Sequence, residues 1–174
     1  VDAEHHARDD DRAALVLENL SIDYPKRGRV PAFRAVADAS LTLQPGEVLG
    51  LVGESGSGKT TIARAIVGLV PIAEGQLRVA GQQMLGVDPK ELRAVRRKLG
   101  IVFQDPGSSL NPRWPVGASI GEPLDLAGVD RKEISTRVVE LLDLVELPRD
   151  FRNRYPHELS GGQRQRIGIA RALA

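Results

Sequence analysis

The sequence lacks cysteine and is poor in aromatic residues. It has no Cys, and Phe, Trp and Tyr together make up 3% of its 174 residues. The absence of cysteine excludes disulfides, thiolate metal sites and cysteine-ligated clusters within this span. Because aromatic residues are scarce, we expect a core built from Leu, Val, Ile and Ala. A formal net charge of +1 also argues against a surface dedicated to polyanions, so no nucleic-acid partner is expected.

Long apolar stretches are missing as well. No run of residues approaches the roughly 20 apolar positions that a membrane-spanning helix needs. No secretory signal peptide is visible either. If the protein serves a membrane, the sequence predicts that it does so from beside the bilayer.

The first segment of the chain differs from the rest. The chain begins with Val1 instead of methionine, and residues 1–13 are mostly charged and lack periodicity, which is typical of a linker or tail. His5 and His6 have no third ligand in view, so we interpret them as solvated linker residues instead of a metal site. The segment predicts that these residues belong to a longer or processed protein.

A complete phosphate-binding pattern, G-x-x-x-x-G-K-[ST], occupies residues 53–60. Its glycines let consecutive backbone N–H groups turn inward around phosphate oxygens. Lys59 adds a positive charge for the β- and γ-phosphates, and the Thr60 hydroxyl can ligate Mg²⁺. The apolar residues 48–52 predict a buried parallel strand before the loop, and residues 61–68 predict a helix whose N-terminus faces the phosphates. This setting predicts nucleoside triphosphate binding, against the alternative of a merely flexible glycine loop.

The remaining pattern predicts a parallel α/β core interrupted by a helical insertion. Hydrophobic periodicity predicts further strands at 14–24, 36–43, 76–79 and 100–104. It predicts helices at 88–98, with Pro89 in the first turn, near 117–127, near 131–146, and after Ser160. Residues 105–116 are rich in proline and are expected to be irregular.

Two further places could bind a ligand. Residues 159–163 put small residues and the Ser160 hydroxyl at a helix N-terminus, which suits either a second anion site or a simple helix-start turn. Gln104 follows an apolar strand, where α/β sheets place ligand-binding groups. Neither observation decides a function by itself.

Together, these residues resemble the nucleotide-binding subunit of ATP-binding-cassette (ABC) transporters. Residues 53–60 match the Walker A motif of that family, Phe103 and Gln104 match the Q-loop, and residues 159–166 match the signature motif without departure. The resemblance covers nearly everything from residue 15 onward. It implies an α/β fold with a P-loop NTPase-type parallel sheet core, an antiparallel β subdomain and a helical insertion subdomain over about 105–165 of a domain spanning 14–174.

The resemblance also narrows the subfamily. Residues 103–113 and 155–160 are similar to stretches found in oligopeptide, dipeptide and nickel importer ATPases. This implies that the protein energises import, with ATP and Mg²⁺ as its cofactors and short peptides as the cargo. It also implies a peripheral position at the cytoplasmic side of the membrane. It implies transmembrane permease subunits, a second ABC cassette and, indirectly, an extracytoplasmic solute-binding protein as partners. Residues 105–116 could also be a rigid connection with Trp114 as a packing anchor, and both interpretations can hold.

Roles follow where the motifs match. The resemblance implies that Lys59 and Gln104 act in catalysis and that Thr60 and Gln104 approach Mg²⁺. Tyr24 resembles the aromatic residue that stacks on adenine, although a strand-end tyrosine could equally be packing. The residues assigned to nucleotide binding are Tyr24, Gly53, Glu54, Ser55, Gly56, Ser57, Gly58, Lys59, Thr60, Thr61, Gln104, Ser160, Gly161, Gly162 and Gln163, the last four acting on the ATP of the opposing cassette.

One departure from the family pattern concerns hydrolysis. The sequence ends at Ala174, before the Walker B strand, the general-base glutamate, the D-loop and the switch histidine that the family pattern leads us to expect. His157 and Glu158 precede the signature motif and do not match the general base. We therefore expect an ATPase in the intact parent protein, which could carry two fused cassettes, and nucleotide binding without hydrolysis by residues 1–174 alone. Two alternatives stay open: a soluble ABC ATPase of DNA repair or translation, and a cassette that only holds nucleotide.

Overall fold

A computed structural model describes residues 12–26, 28–29, 31–104 and 110–174. The chain divides into two compact units, one ending at Lys98 and the other beginning at Leu99. The interpretation of His5 and His6 lies outside the described residues. The predicted domain bounds, including a helical insertion at 105–165, stay a prediction.

The N-terminal unit is built around a four-stranded antiparallel sheet with the order β2-β1-β3-β4. Its strands are β1 (Leu15–Tyr24), β2 (Phe33–Leu43), β3 (Glu74–Val79) and β4 (Gln82–Gln83). The central strand β1 pairs with β2 on one side and β3 on the other. The strands predicted at 14–24, 36–43 and 76–79 are therefore confirmed, with β2 beginning three residues earlier than expected.

A bulge in β1 sets which side chains enter the core. Asn19 has a φ of 48°, and the pairing register shifts there on both sides of the strand. A Cβ on Gly75, which itself has a φ of 84°, would overlap the Asn19 backbone. The bulge therefore requires glycine at position 75, and beyond it Leu20 and Ile22 are fully buried.

Two helices complete the N-terminal unit, α1 (Lys59–Ile66) and α2 (Pro89–Arg96). The Asp88 side chain caps α2 by accepting hydrogen bonds from the backbone N–H groups of Lys90 (2.7 Å) and Glu91 (2.9 Å). Both helices were predicted, the second with its proline in the first turn.

Two predicted strands are not formed. Residues 48–52 and 100–104 are not assigned to any sheet of the described residues. Val48 and Val52 are 98% and 94% exposed, and Phe103 is 44% exposed. A parallel strand gains its hydrogen bonds and its burial only from neighbouring strands, and no described strand is paired with either segment. The expectation of buried strands was therefore wrong for these two segments, and the sheet that is present is antiparallel.

The C-terminal unit is helical. It contains α3 (Val116–Leu126), α4 (Arg131–Leu144), 3₁₀ turns at Arg149–Asn153 and Pro156–Glu158, and α5 (Gly161–Ala172). The three predicted helices are thereby confirmed. Its core is almost entirely aliphatic, as expected, and consists of Leu110, Val116, Ile120, Val138, Leu141, Leu142, Leu147, Phe151, Leu159, Ile167 and Ala170.

The segment between Gln104 and α3 is described only from Leu110 onward. Residues 110–115 are irregular, as predicted, and Trp114 is 41% exposed and lies outside the core of this unit. In the described part of the chain, no helix combines the length and the apolarity needed to cross a bilayer.

Candidate functional site

The phosphate-loop octet leads directly into the N-terminus of α1. Gly56 and Gly58 have φ values of 87° and 89°, which side chains rarely adopt. Gly58 is the N-cap of α1, and no side chain caps this end of the helix. The first-turn N–H groups of an α-helix have no partner within the helix, so those of Lys59, Thr60 and Thr61 are available to an anion. The loop therefore has the conformation and the donors of a phosphate cradle.

Close packing on β2 fixes the base of this loop. Gly58 is buried, and a Cβ there would lie 2.7 Å from the Ala35 carbonyl oxygen and 2.9 Å from Cγ2 of Val36. A Cβ on Gly56 would meet nothing within 4 Å. One glycine thus allows the loop to approach the sheet, and the other lies on its open side.

The Lys59 ammonium closes the loop on itself. Its Nζ donates to the carbonyl oxygens of Gly53 (2.7 Å) and Glu54 (2.6 Å) and to Oγ of Ser57 (3.0 Å). All three hydrogens of the ammonium can be used in this way. The positive charge is consequently held within the loop, beside the free end of α1.

The two predicted magnesium ligands, Thr60 and Gln104, would supply only part of the coordination of the ion. Mg²⁺ is usually held by one or two protein oxygens together with phosphate oxygens and water. The Thr60 hydroxyl suits this role because Thr60 is exposed in the first turn of α1. Gln104 is also exposed but belongs to the C-terminal unit. Among the described residues, no group of three His, Cys, Asp or Glu side chains could hold a metal by itself.

The predicted adenine residue has an aromatic neighbour that the sequence did not identify. Tyr24 at the end of β1 lies opposite Phe33 at the start of β2. Their rings are stacked, with centroids 5.4 Å apart and planes inclined by 23°. Phe33 lies outside the segment predicted as a strand, and only the register of β1 against β2 brings it opposite Tyr24. The sequence offered one indication of a role for Phe33, namely that it is one of few aromatic residues and shortly precedes a predicted strand.

The next residue pair of the same two strands is ionic. Arg34 pairs with Asp23 through Nε–Oδ1 (2.8 Å) and Nη2–Oδ2 (3.1 Å), and its Nη2 also reaches Oε1 of Glu74 on β3 (3.0 Å). The hydrogen bond from Arg34 lowers the pKa of Asp23 below its ordinary value, and the hydrogen bonds to Asp23 and then to Glu74 raise the pKa of Arg34. Arg34 therefore ties three strands together beside the two rings.

The second predicted anion site begins α5. Oγ of Ser160 accepts from the Gln163 N–H (3.3 Å), and the Ser160 N–H donates to Oε1 of Gln163 (2.9 Å), which forms a capping box. Ser160, Gly161 and Gly162 are all exposed. The cap uses the hydroxyl oxygen as an acceptor and leaves its proton for donation. A helix-start turn is therefore present, and it leaves its small residues open to a ligand.

Arg164 supports the turn that precedes this helix. Its Nη1 donates to the carbonyl oxygens of Leu159 (2.8 Å) and Pro156 (3.4 Å). Glu158 accepts from the Tyr155 N–H (2.6 Å), so its carboxylate also holds the turn. Residues 53–61 and Tyr24 belong to the N-terminal unit, whereas Gln104 and residues 160–163 belong to the C-terminal unit.

Comparison with known proteins identifies relatives of the chain. Residues 36–174 match the ABC transporter family. The chain is 55% identical over 155 residues to a protein of Brucella abortus (strain 2308) that is provisionally named a peptide import ATP-binding protein, and the match covers 86% of this chain and 45% of that relative. It is 51% identical over 142 residues to the oligopeptide transport ATP-binding protein OppF of Escherichia coli (strain K12), covering 80% of this chain and 42% of OppF. The chain therefore spans about half the length of the curated relatives it matches.

A solved structure shows the same fold. A dimeric ATP-binding cassette in a post-hydrolysis state, bound to ADP and Pi, matches with a TM-score of 0.81 and 34% identity, covering 92% of this chain and 69% of that one. The α/β fold class predicted from the sequence is thereby confirmed. Since the family match takes in most of the sequence, the chain belongs to the ABC transporter family and has the fold of its ATP-binding cassettes.

Proposed function

We propose that the chain is the nucleotide-binding part of an ABC importer subunit that couples ATP binding and hydrolysis to the uptake of short peptides. The observation that carries this proposal is the uncapped N-terminus of α1 behind a loop with two positive-φ glycines and one lysine. The names of the relatives, which refer to peptide import and oligopeptide transport, support the cargo class.

In this proposal the triphosphate replaces contacts that the loop makes with itself. Lys59 exchanges the neutral carbonyl oxygens of Gly53 and Glu54 for charged phosphate oxygens, which are stronger acceptors for an ammonium. The N–H groups of the first turn of α1 donate to the same phosphates, and the helix dipole favours their negative charge. Thr61, in the same turn, is assigned to the α-phosphate.

Magnesium has a limited part in the proposal. When bound, Mg²⁺ would supply positive charge that offsets the negative charge of the phosphates. Thr60 would supply a hydroxyl ligand, and Gln104 would approach the ion and orient the attacking water. Neither residue supplies a general base, so we propose that residues 1–174 alone bind ATP without hydrolysing it.

The site is proposed to be shared between two cassettes. Ser160, Gly161, Gly162 and Gln163 would receive the γ-phosphate of ATP held by an opposing cassette, through an exposed helix N-terminus and a hydroxyl with a proton to donate. The dimeric state of the structural relative supports this arrangement. Permease subunits at the cytoplasmic face of the membrane would be the partners that transport requires, with a solute-binding protein acting outside.

A transport assay with the intact parent protein tests the proposal. The parent would be assembled with its permease subunits in vesicles, and uptake of labelled short peptides and of Ni²⁺ would be measured separately. We expect ATP-dependent peptide uptake that is lost in Lys59→Ala. Uptake of Ni²⁺ alone would contradict the cargo, and co-purification with ribosomes or DNA instead of permease subunits would contradict the transport role.

A further inference from the structure

Phe33 has no assigned role, yet it contacts the residue proposed to bind adenine. We propose that Phe33 is a positioning residue of the base site: its ring supports Tyr24 from behind and holds the tyrosine ring in the orientation that stacks on the base. The inference rests on the proposed nucleotide function and adds a specific residue to it.

The ring geometry decides which surface the base can use. Aromatic planes in contact are about 3.5 Å apart, so a base between two rings would require centroids separated by about 7 Å. The centroids of Tyr24 and Phe33 are 5.4 Å apart and their planes are inclined by 23°, which is an offset stack already in contact. A base therefore cannot enter between the rings. It stacks on the face of Tyr24 that is turned away from Phe33.

The position of β2 relates the two rings to the phosphate loop. The Ala35 carbonyl packs against Gly58, and Phe33 precedes Ala35 by two residues on the same strand. Two residues of a strand span about 6.6 Å. The ring pair thus lies within reach of a single nucleotide whose phosphates occupy the loop. One strand fixes the spacing between both ends of the ligand.

Arg34 stabilises this arrangement from the opposite face of the sheet. Successive side chains of a strand point to opposite faces, so Arg34 and Asp23 lie behind the rings of their neighbours. The bidentate pair with Asp23 and the bond to Glu74 hold the ends of β1 and β2 in register. Strand ends otherwise fray, and a frayed end would separate Tyr24 from Phe33.

Phe33 could instead serve only the stability of the hairpin, and its 52% exposure makes that contribution modest. The two roles differ in what they predict for a ligand without a base. If Phe33 positions Tyr24, loss of its ring weakens the binding of ATP but not of inorganic tripolyphosphate, which the loop alone can bind. If Phe33 only stabilises the strands, loss of its ring changes the affinity for both ligands equally or for neither.

The experiment measures affinities of the intact parent for Mg-ATP and Mg-tripolyphosphate by calorimetry. Aromatic pair energies predict that Phe33→Ala weakens ATP binding about 2- to 10-fold and leaves tripolyphosphate binding unchanged. Phe33→Tyr is expected to restore ATP affinity. Tyr24→Ala combined with Phe33→Ala is expected to bind ATP no more weakly than Tyr24→Ala alone. Trp114→Ala, an exposed aromatic of the C-terminal unit, is the matched control and should bind both ligands normally.

Three results would overturn the inference. The ATP affinity of Phe33→Ala could be unchanged, or Phe33→Ala could lose equal affinity for ATP and for tripolyphosphate. In the third, the double variant would lose ATP affinity by the product of the two single losses. Lys59→Ala tests the proposed nucleotide function separately, because it should weaken the binding of both ATP and tripolyphosphate. If Lys59→Ala binds both normally, the nucleotide function itself fails. If only the Phe33 result fails, the phosphate site stands.

Discussion

At the scale of single residues, Gly56 and Gly58 share a left-handed backbone but differ in their surroundings. A Cβ at position 58 would press on the Ala35 carbonyl oxygen at 2.7 Å, whereas at position 56 it would meet open space. We predict that Gly58→Ala lowers the free energy of unfolding by about 2–4 kcal/mol, since backbone strain and a backbone clash act together. Gly56→Ala, the matched control, should cost only about 1 kcal/mol, from backbone strain. Urea denaturation of the two variants measures this difference, and equal losses would contradict the packing of the loop on β2.

The ion pair between Arg34 and Asp23 should make the stability of the protein sensitive to acid. Because Arg34 lowers the pKa of Asp23 from 3.8, the pair contributes stability above that pH and loses it as pH falls through the lowered value. The Tm of the wild type should therefore fall more steeply than that of Arg34→Gln as the pH drops below about 4. The effect is small because the pair is exposed and screened by solvent. Parallel Tm curves for the two proteins over this range would show that the pair is not formed in solution.

At the scale of elements, α1 and α5 begin in opposite ways, the first without a side-chain cap and the second with a capping box. Ser160→Ala removes the cap and should lower the free energy of unfolding by about 1 kcal/mol.

Ser160→Asp retains a capping oxygen and should preserve stability. It also puts a negative charge where the γ-phosphate of the opposing cassette is proposed to bind, so ATPase activity of the assembled parent should be lost. Thermal unfolding and phosphate release measure the two effects, and a stable, fully active Ser160→Asp would exclude a phosphate role for this helix end.

The elements that could be predicted from the sequence are those specified by nearby residues. The start of α2 follows from Asp88 and Pro89, and the start of α5 from Ser160, because a cap acts within one turn. The phosphate loop is likewise a local pattern. Residues 48–52 were predicted wrongly because a parallel strand depends on partners that are distant in sequence. The contact of Phe33 with Tyr24 was missed for the same reason, since it arises only from the register of β1 against β2.

At the scale of the whole molecule, the proposed site is divided between two copies of a cassette. One cassette supplies the loop that begins at Gly53, and the other supplies the N-terminus of α5. Hydrolysis by the parent should therefore depend on protein concentration, because both copies are needed to complete the site. We predict that the specific ATPase activity rises with concentration, or on addition of the partner cassette if the pair is not identical. An activity that is constant on dilution, in a protein shown by sedimentation to be monomeric, would contradict a shared site.

We propose above all that the octet from Gly53 to Thr60 binds a triphosphate through backbone N–H groups and Lys59, together with a magnesium ion. The decisive experiment is an equilibrium titration of the intact parent protein with ATP, with and without Mg²⁺. We predict saturable, magnesium-dependent binding that weakens about 10- to 100-fold in Lys59→Ala, the loss expected for hydrogen bonds to a charged group. Binding of equal strength in Lys59→Ala, or no binding of ATP by the wild type, would contradict the account.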